Sequence, residues 1–285
     1  MASAFDQRIV RIGIEIEGDI LTYEGLNVYA RGTKFLSATM GTCEARVFNL
    51  TKEHRKFILT QASPIAKRVL TPINFTLDVG RESYGTFRLF EGQVFQGGVT
   101  QPPDIGIILN SLTNNFQLAS TAAIQQSSIA TLRTISQQIA DAMTPPLTLE
   151  FKATDKQIDN FSYTGSPQGC IEKLNQMGGI LATVDGKSLI VLNTGQARSD
   201  SVRLINKNTG MVGVPQPTVY GANVRMMIDN SVQIGSEVQI ESEINPAVNG
   251  NYIVQKLDFE VAYRDAPFWY NLQCISKELF TGATL

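Results

Sequence analysis

The chain carries one histidine, His54, and three cysteines, Cys43, Cys170 and Cys274. Any Ser-His-Asp or Cys-His nucleophilic mechanism would have to use His54, held by a carboxylate and partly shielded from water. Instead it is followed by Arg55 and Lys56 on the outward side of a short helical pattern, and it reads as a surface residue. A zinc site would need several His or Cys ligands, and no CxxC spacing exists. The cysteines read as three reduced, buried thiols of a protein made in a cytoplasm. Asp185-Gly186-Lys187-Ser188 resembles the tail of a phosphate-binding loop, but the upstream glycine is replaced by Leu181. The residues also lie between two strand patterns, where that loop needs a strand and then a helix. Glu15/Glu17 and Glu241/Glu243 are carboxylate pairs at strand spacing and read as solvated faces. No catalytic, cofactor-binding or metal-ligating residue is expected, and the chain is not expected to be an enzyme.

The elements that carry these residues are mostly strands. Arg8 to Glu17 alternates apolar and charged positions with period two. The same style continues over Asp19–Ala30 and Thr42–Phe48. Thr51 is placed to cap a helix over Lys52–Gln61, with Phe57 and Ile58 inward. Strands are expected at Asn74–Val79, Thr86–Gln96 (ended by Gly97-Gly98) and Ile105–Leu112. Ser128 is expected to cap a helix whose inner face is Ile129, Leu132, Ile135, Ile139 and Met143. Leu147–Lys152 reads as a strand, Ser166-Pro167 as the start of a helix and Gly178-Gly179 as its end. Ile180–Val184 and Ser188–Asn193 flank Asp185-Gly186 as a tight hairpin. Val219–Ile228, Glu237–Ile244, Tyr252–Tyr263 and Phe268–Ser276 complete a β-rich C-terminal part, with Asn249-Gly250 as a hairpin connection. The expected class is mainly β with an α+β middle.

Composition narrows the role. Charged residues make up 18% of the chain, below the usual ~25%. Asn (17), Gln (19) and Thr (24) fill the gap, which suits large, partly polar subunit interfaces. The formal net charge of −2 gives no footing for stable nucleic-acid binding through counterion release. The uncharged run from Ile105 to Leu132 is broken by amides such as Asn110 and Gln117, so no membrane insertion is expected. Between Arg46 and Arg68 there are six Lys/Arg and one acid, Glu53. That run reads as a solvated helix face; a docking patch for an acidic partner is the sharper alternative.

Two segments resemble a known family. Glu44-Ala45-Arg46-Val47-Phe48-Asn49-Leu50-Thr51, followed by the Lys52–Gln61 helix, is similar to the strand, corner and helix of the baseplate hub proteins of contractile-tailed bacteriophages. Thr209-Gly210-Met211-Val212-Gly213-Val214-Pro215-Gln216-Pro217-Thr218 resembles the loop into the last barrel of those proteins. It is joined in the likeness by Gly221, Val224 and Ile234-Gly235. Gly250-Asn251-Tyr252-Ile253-Val254 matches a strand near their C-terminus. The order of units agrees over nearly the whole chain.

The resemblance implies two tail-tube-like antiparallel β-barrels joined by a small α/β module: residues 1–112, 113–200 and 201–285. It implies a structural virion protein of the tail baseplate, assembled in the host cytoplasm, that joins the distal end of the tail tube to the central spike. A homotrimer would present six barrels to a sixfold tube and form part of the DNA conduit. Its partners would be the tail-tube ring, the central spike protein and other baseplate proteins. A tail-tube subunit is the structural alternative. A cell-wall hydrolase or carbohydrate-binding tail protein is the alternative of another class.

Overall fold

Alternation decides the first strand: in β1 (Arg8–Ile16), Val10, Ile12, Ile14 and Ile16 are buried. The computed structural model describes residues 6–62, 73–113, 122–125, 129–143 and 145–281. They form two compact units. The first comprises Met1–Thr33, Gly41–Asn115 and Phe259–Trp269; the second comprises Lys34–Met40, Phe116–Asp258 and Tyr270–Leu285.

The first unit is built on β1, β2 (Asp19–Glu24), β3 (Val28–Phe35, whose last two residues fall in the second unit), β4 (Thr42–Phe48), α1 (Lys52–Gln61), β5 (Ile73–Arg81), β6 (Gly85–Val99) and β7 (Gly106–Leu112). The strand order is β3-β4-β7-β6-β5-β1-β2. Only Gly25, Leu26 and Asn27 separate β2 from β3, although these strands stand at opposite ends of that order. This short link keeps the adjoining ends of β2 and β3 close together, and Phe75, Leu77, Phe90, Ile107 and Leu109 are buried. Asn49 takes a left-handed φ of 64°, which Asn tolerates better than most residues. This turns the chain from β4 into α1, where Thr51 caps the helix by accepting from the His54 N–H at 3.3 Å.

Gly97 and Gly98 do not end β6. Gly97 pairs with Leu109 and Gly98 with Ile108, and the strand runs to Val99. A Cβ on Gly97 would lie 2.7 Å from the Ala62 Cβ, so this glycine marks a close approach of the α1 terminus to the strand.

In the second unit the α/β part contains β8 (Ala122–Gln125), β9 (Ala130–Thr131), α2 (Leu132–Ala142), β10 (Thr148–Phe151), β11 (Gln157–Ile158), β12 (Ser162–Gly165), α3 (Pro167–Gly178), β13 (Ile180–Asp185) and β14 (Ser188–Asn193). α2 begins later than its apolar spacing predicts. Ala130 and Thr131 pair with Ile158 and Gln157, which holds them extended and leaves Ile129 exposed. Thr131, not Ser128, caps the helix through the Thr134 N–H; Ser128 itself lies outside the described residues. α3 follows its signals closely: Ser166 accepts from the Gly169 N–H, Pro167 opens the helix, and Gly179 closes it at φ 53°. Leu132, Ile135, Ile139, Cys170, Leu174 and Val191 share one buried cluster.

The rest of this unit is β15 (Val202–Ile205), β16 (Met211–Pro217), β17 (Gly221–Met227), β18 (Glu237–Ile240), β19 (Gly250–Ala262), β20 (Phe268–Ser276) and a terminal turn of helix, α4 (Glu278–Thr281). β19 and β20 each also contribute residues to the first unit. The order is β16-β17-β20-β19-β18-β15. Again the two end strands are sequence neighbours, joined by Asn206–Gly210. Asn249-Gly250 is not a two-residue hairpin. Residues 241–249 connect β18 to β19 and include a 3-10 turn, Pro246–Val248.

The two strand sets share an order. β3, β4, β7, β6, β5 and β1 occur in the same sequence as β16, β17, β20, β19, β18 and β15. Two differences stand out. β1 runs antiparallel to β5, whereas β15 runs parallel to β18. The segment between β17 and β18 contains turns where α1 follows β4.

Candidate assembly surfaces

His54 sits on the first turn of α1, and its Nδ1 shares a 2.6 Å hydrogen bond with the Tyr23 hydroxyl of β2. The rings meet edge to face at 5.8 Å. This ties α1 to an end strand; the histidine is half-buried and braced, where sequence placed it outward. Its ring meets the phenol of Tyr23 and its backbone N–H donates to the Thr51 hydroxyl, so the contacts described for it are bracing and capping ones. The cysteines are buried, and burial raises the Cys170 thiol to about 11 and the Cys274 thiol to about 12. Among the described residues, no group of three or more His, Cys, Asp or Glu could hold a metal ion.

Neither carboxylate pair lies on one strand face. β1 ends at Ile16, so Glu17 stands in the turn at φ 55°, while Glu15 accepts from the N–H and side-chain amide of Asn74. β18 ends at Ile240, leaving Glu241 and Glu243 in the following loop, not on a strand face. Both line a cleft of about 610 Å³ with Asn206, Lys207, Gln239 and Asn249. Glu243 is ion-paired with Lys207 at 2.5 Å, and Glu241 accepts from the Gln239 amide at 2.9 Å.

Asp185 begins the tight turn of the β13–β14 hairpin, and its carboxylate joins an ion cluster. It accepts from Lys34 at 2.8 Å and from Arg198 at 2.9 Å. The other edge of the Arg198 fork grips Glu150 at 3.0 and 3.1 Å. Burial alone would raise the Asp185 carboxyl, but the charges of Lys34 and Arg198 outweigh it and hold it below the usual carboxylate range. Burial also opposes ionisation of Glu150, and the Arg198 hydrogen bonds and charge again reverse the direction. The cluster braces the α/β part within the second unit.

The cationic run splits up. Arg46 is on β4, paired with Glu44 at 3.0 Å and stacked over Tyr29, while Lys52, Arg55 and Lys56 ride on α1. Lys67 and Arg68 lie outside the described residues.

A surface that sequence reasoning missed is the β16–β17 hairpin. Expected as a loop from its resemblance to the hub family, Met211–Pro217 is a strand with an irregular register between Val212 and Gln216. From Asn208 to Val224 no residue is charged. At the turn, the Thr218 N–H bonds the Gly221 carbonyl at 2.9 Å, and Val219 and Tyr220 stand 88% and 67% exposed. That absence of charge was the available signal.

These features define a β protein whose distinctive surfaces are suited to assembly. Its fold is that of phage tail proteins. The 43 kDa tail protein of prophage MuSo2 from Shewanella oneidensis matches at a TM-score of 0.62 and 12% identity, covering 94% of this chain and 99% of that one. The tail protein from Neisseria meningitidis MC58 matches at 0.65 and 7%, covering 95% and 98%. An Escherichia coli protein described as a component of the type VI secretion system, with structural similarity to T4 bacteriophage tail proteins gp27 and gp5, matches at 0.59 and 10%, covering 92% and 76%. None of the curated proteins matches in sequence. Residues 9–274 match the model of the family described as "Baseplate hub gp41", and the chain belongs to that family. The family is one of structural proteins of the bacteriophage tail baseplate.

Proposed function

We propose that this chain is the hub that joins the distal end of the tail tube to the central spike, working as a homotrimer. The observation that carries the reading is the recurrence of one six-strand order in both strand sets of a hub-family chain. Residues 1–112 and 201–285 then serve as two tube-like barrels, and residues 113–200 as a module set outside the ring. Three chains offer six such barrels, which suits a sixfold tube. A formal net charge of −2 suits a conduit that lets DNA pass without holding it. The fold match to a component of the type VI secretion system supports a place beside a spike. Assembly in the host cytoplasm fits three buried thiols that need no oxidation.

Native mass spectrometry of the chain co-expressed with its spike and tube proteins tests the reading. Three copies per particle are expected. Six copies in one ring would instead identify a tube subunit.

A further inference from the structure

The shared strand order pairs the β3–β4 hairpin with the β16–β17 hairpin, and their tips differ in one respect. Residues 34–40, the end of β3 and the tip that follows it, belong to the second unit and are seated there. Leu36 is buried and its N–H donates to the Gln255 carbonyl at 2.8 Å. The Phe35 carbonyl accepts from the Thr183 hydroxyl at 3.0 Å, and Lys34 pairs with Asp185 at 2.8 Å. The corresponding tip between β16 and β17 projects Val219 and Tyr220 into solvent.

We propose that the β16–β17 tip seats on the first unit of a second copy of this chain. The inference rests on the homotrimer reading and specifies its contact. Within one chain, the hairpin tip of the first strand set is held in the second unit, by β19 of the second strand set and by β13 of the α/β part. Repeating that relation from chain to chain leaves the β16–β17 tip to the first strand set of the next copy. Such a head-to-tail contact closes a ring when its rotation closes. The chemistry fits a protein interface: a hairpin end with no charge from Asn208 to Val224 and a projecting aromatic side chain resembles the desolvated centre of a subunit contact.

The geometry also selects the mode of docking. Pro215 and Pro217 lack N–H donors and the register of β16 is broken, so extension of the sheet by strand addition is disfavoured. The tip must bind through its side chains. It is pre-set for this. The Tyr220 carbonyl accepts from the Ser276 N–H at 2.9 Å, and a Cβ on Gly221 would lie 2.1 Å from the Cys274 carbonyl oxygen. A turn already fixed in this way loses little freedom on binding.

The double substitution Val219→Asp/Tyr220→Asp tests the proposal in the full chain. Because both side chains are exposed, the monomer should melt as wild type does. Trimer formation, read by native mass spectrometry and sedimentation, should weaken by about 30-fold or more, as for loss of an interface hot spot. In parallel, Tyr220→benzoylphenylalanine should photocrosslink to the first unit of another copy, within residues 6–33, 41–62 or 73–113. A wild-type trimer that the double variant forms equally well would overturn the proposal and leave the trimer reading standing. So would a crosslink from position 220 that lands on the spike or tube protein. A wild-type chain that fails to trimerise even with its spike and tube proteins would overturn both.

Discussion

Replacing Arg198 with alanine probes the ion cluster where the structure makes its cost calculable. The guanidinium makes three hydrogen bonds, two to Glu150 and one to Asp185, and its side chain is 14% exposed. Removing one partner from a buried pair typically costs about 3–5 kcal/mol. Two facts reduce that figure here. Asp185 keeps Lys34 at 2.8 Å, and the Glu150 side chain, 34% exposed, can take up water. A loss of about 2–3 kcal/mol is therefore expected near neutral pH. For a domain of this size it lowers the melting midpoint by about 4–12 °C.

The pH dependence gives a second readout. Asp185 and Glu150 have folded values held below their unfolded ones, so the unfolded state binds more protons as pH falls through that window. Their contribution is complete above the unfolded values, near pH 4, and is lost as pH drops through the folded values. In Arg198→Ala, Glu150 loses the cation that depresses it and Asp185 keeps only Lys34, so both protonate more readily. The gap between variant and wild type should narrow below about pH 4. Thermal melts from pH 7 to pH 3 measure both effects. A variant that melts with wild type at pH 7, or a gap that stays constant to pH 3, refutes the ion-pair account.

His54→Ala should remove one hydrogen bond to Tyr23, cost about 1 kcal/mol in melts, and leave tail assembly and any cell-wall clearing by tails unchanged. A large loss of hydrolytic activity with intact assembly would sink the structural assignment. The three thiols should resist an alkylating reagent at pH 8 in the native chain and react once it is denatured, because burial lifts Cys170 to about 11 and Cys274 to about 12. Rapid native labelling of Cys170 or Cys274 would contradict this. Gly32→Ala should be strongly destabilising, by about 1–3 kcal/mol or more. Its Cβ would sit 2.2 Å from the Thr42 carbonyl oxygen and 2.3 Å from the Phe259 ring. A wild-type melting point for that variant would show that β3 and β4 can separate at no cost.

Several elements were legible because their causes are local. Thr51, Ser166-Pro167, Gly179 and Asp185-Gly186 each act on a backbone group or dihedral within a few residues, and the helices and the hairpin lie where these signals put them. Period-two burial likewise marked β1 and β4. The residue order around Asn49-Leu50-Thr51 and Thr209–Thr218 carried the family, and the family match spans both segments.

Other features depended on groups far apart in the chain. α2 starts at Leu132 because Ala130 and Thr131 pair with a strand some 27 residues later. Gly97 looked like a stop, yet it is a strand residue that lets Ala62 approach. Met211–Pro217 is a strand despite its two prolines because β17 supplies a partner along it. Lys34 and Asp185 are separated by 151 positions, so no spacing rule could join them in one ion cluster. Caps and turns are written in neighbouring residues. Strand order and charge pairing arise only when the folded chain brings distant residues together, and here that order is what links the two strand sets.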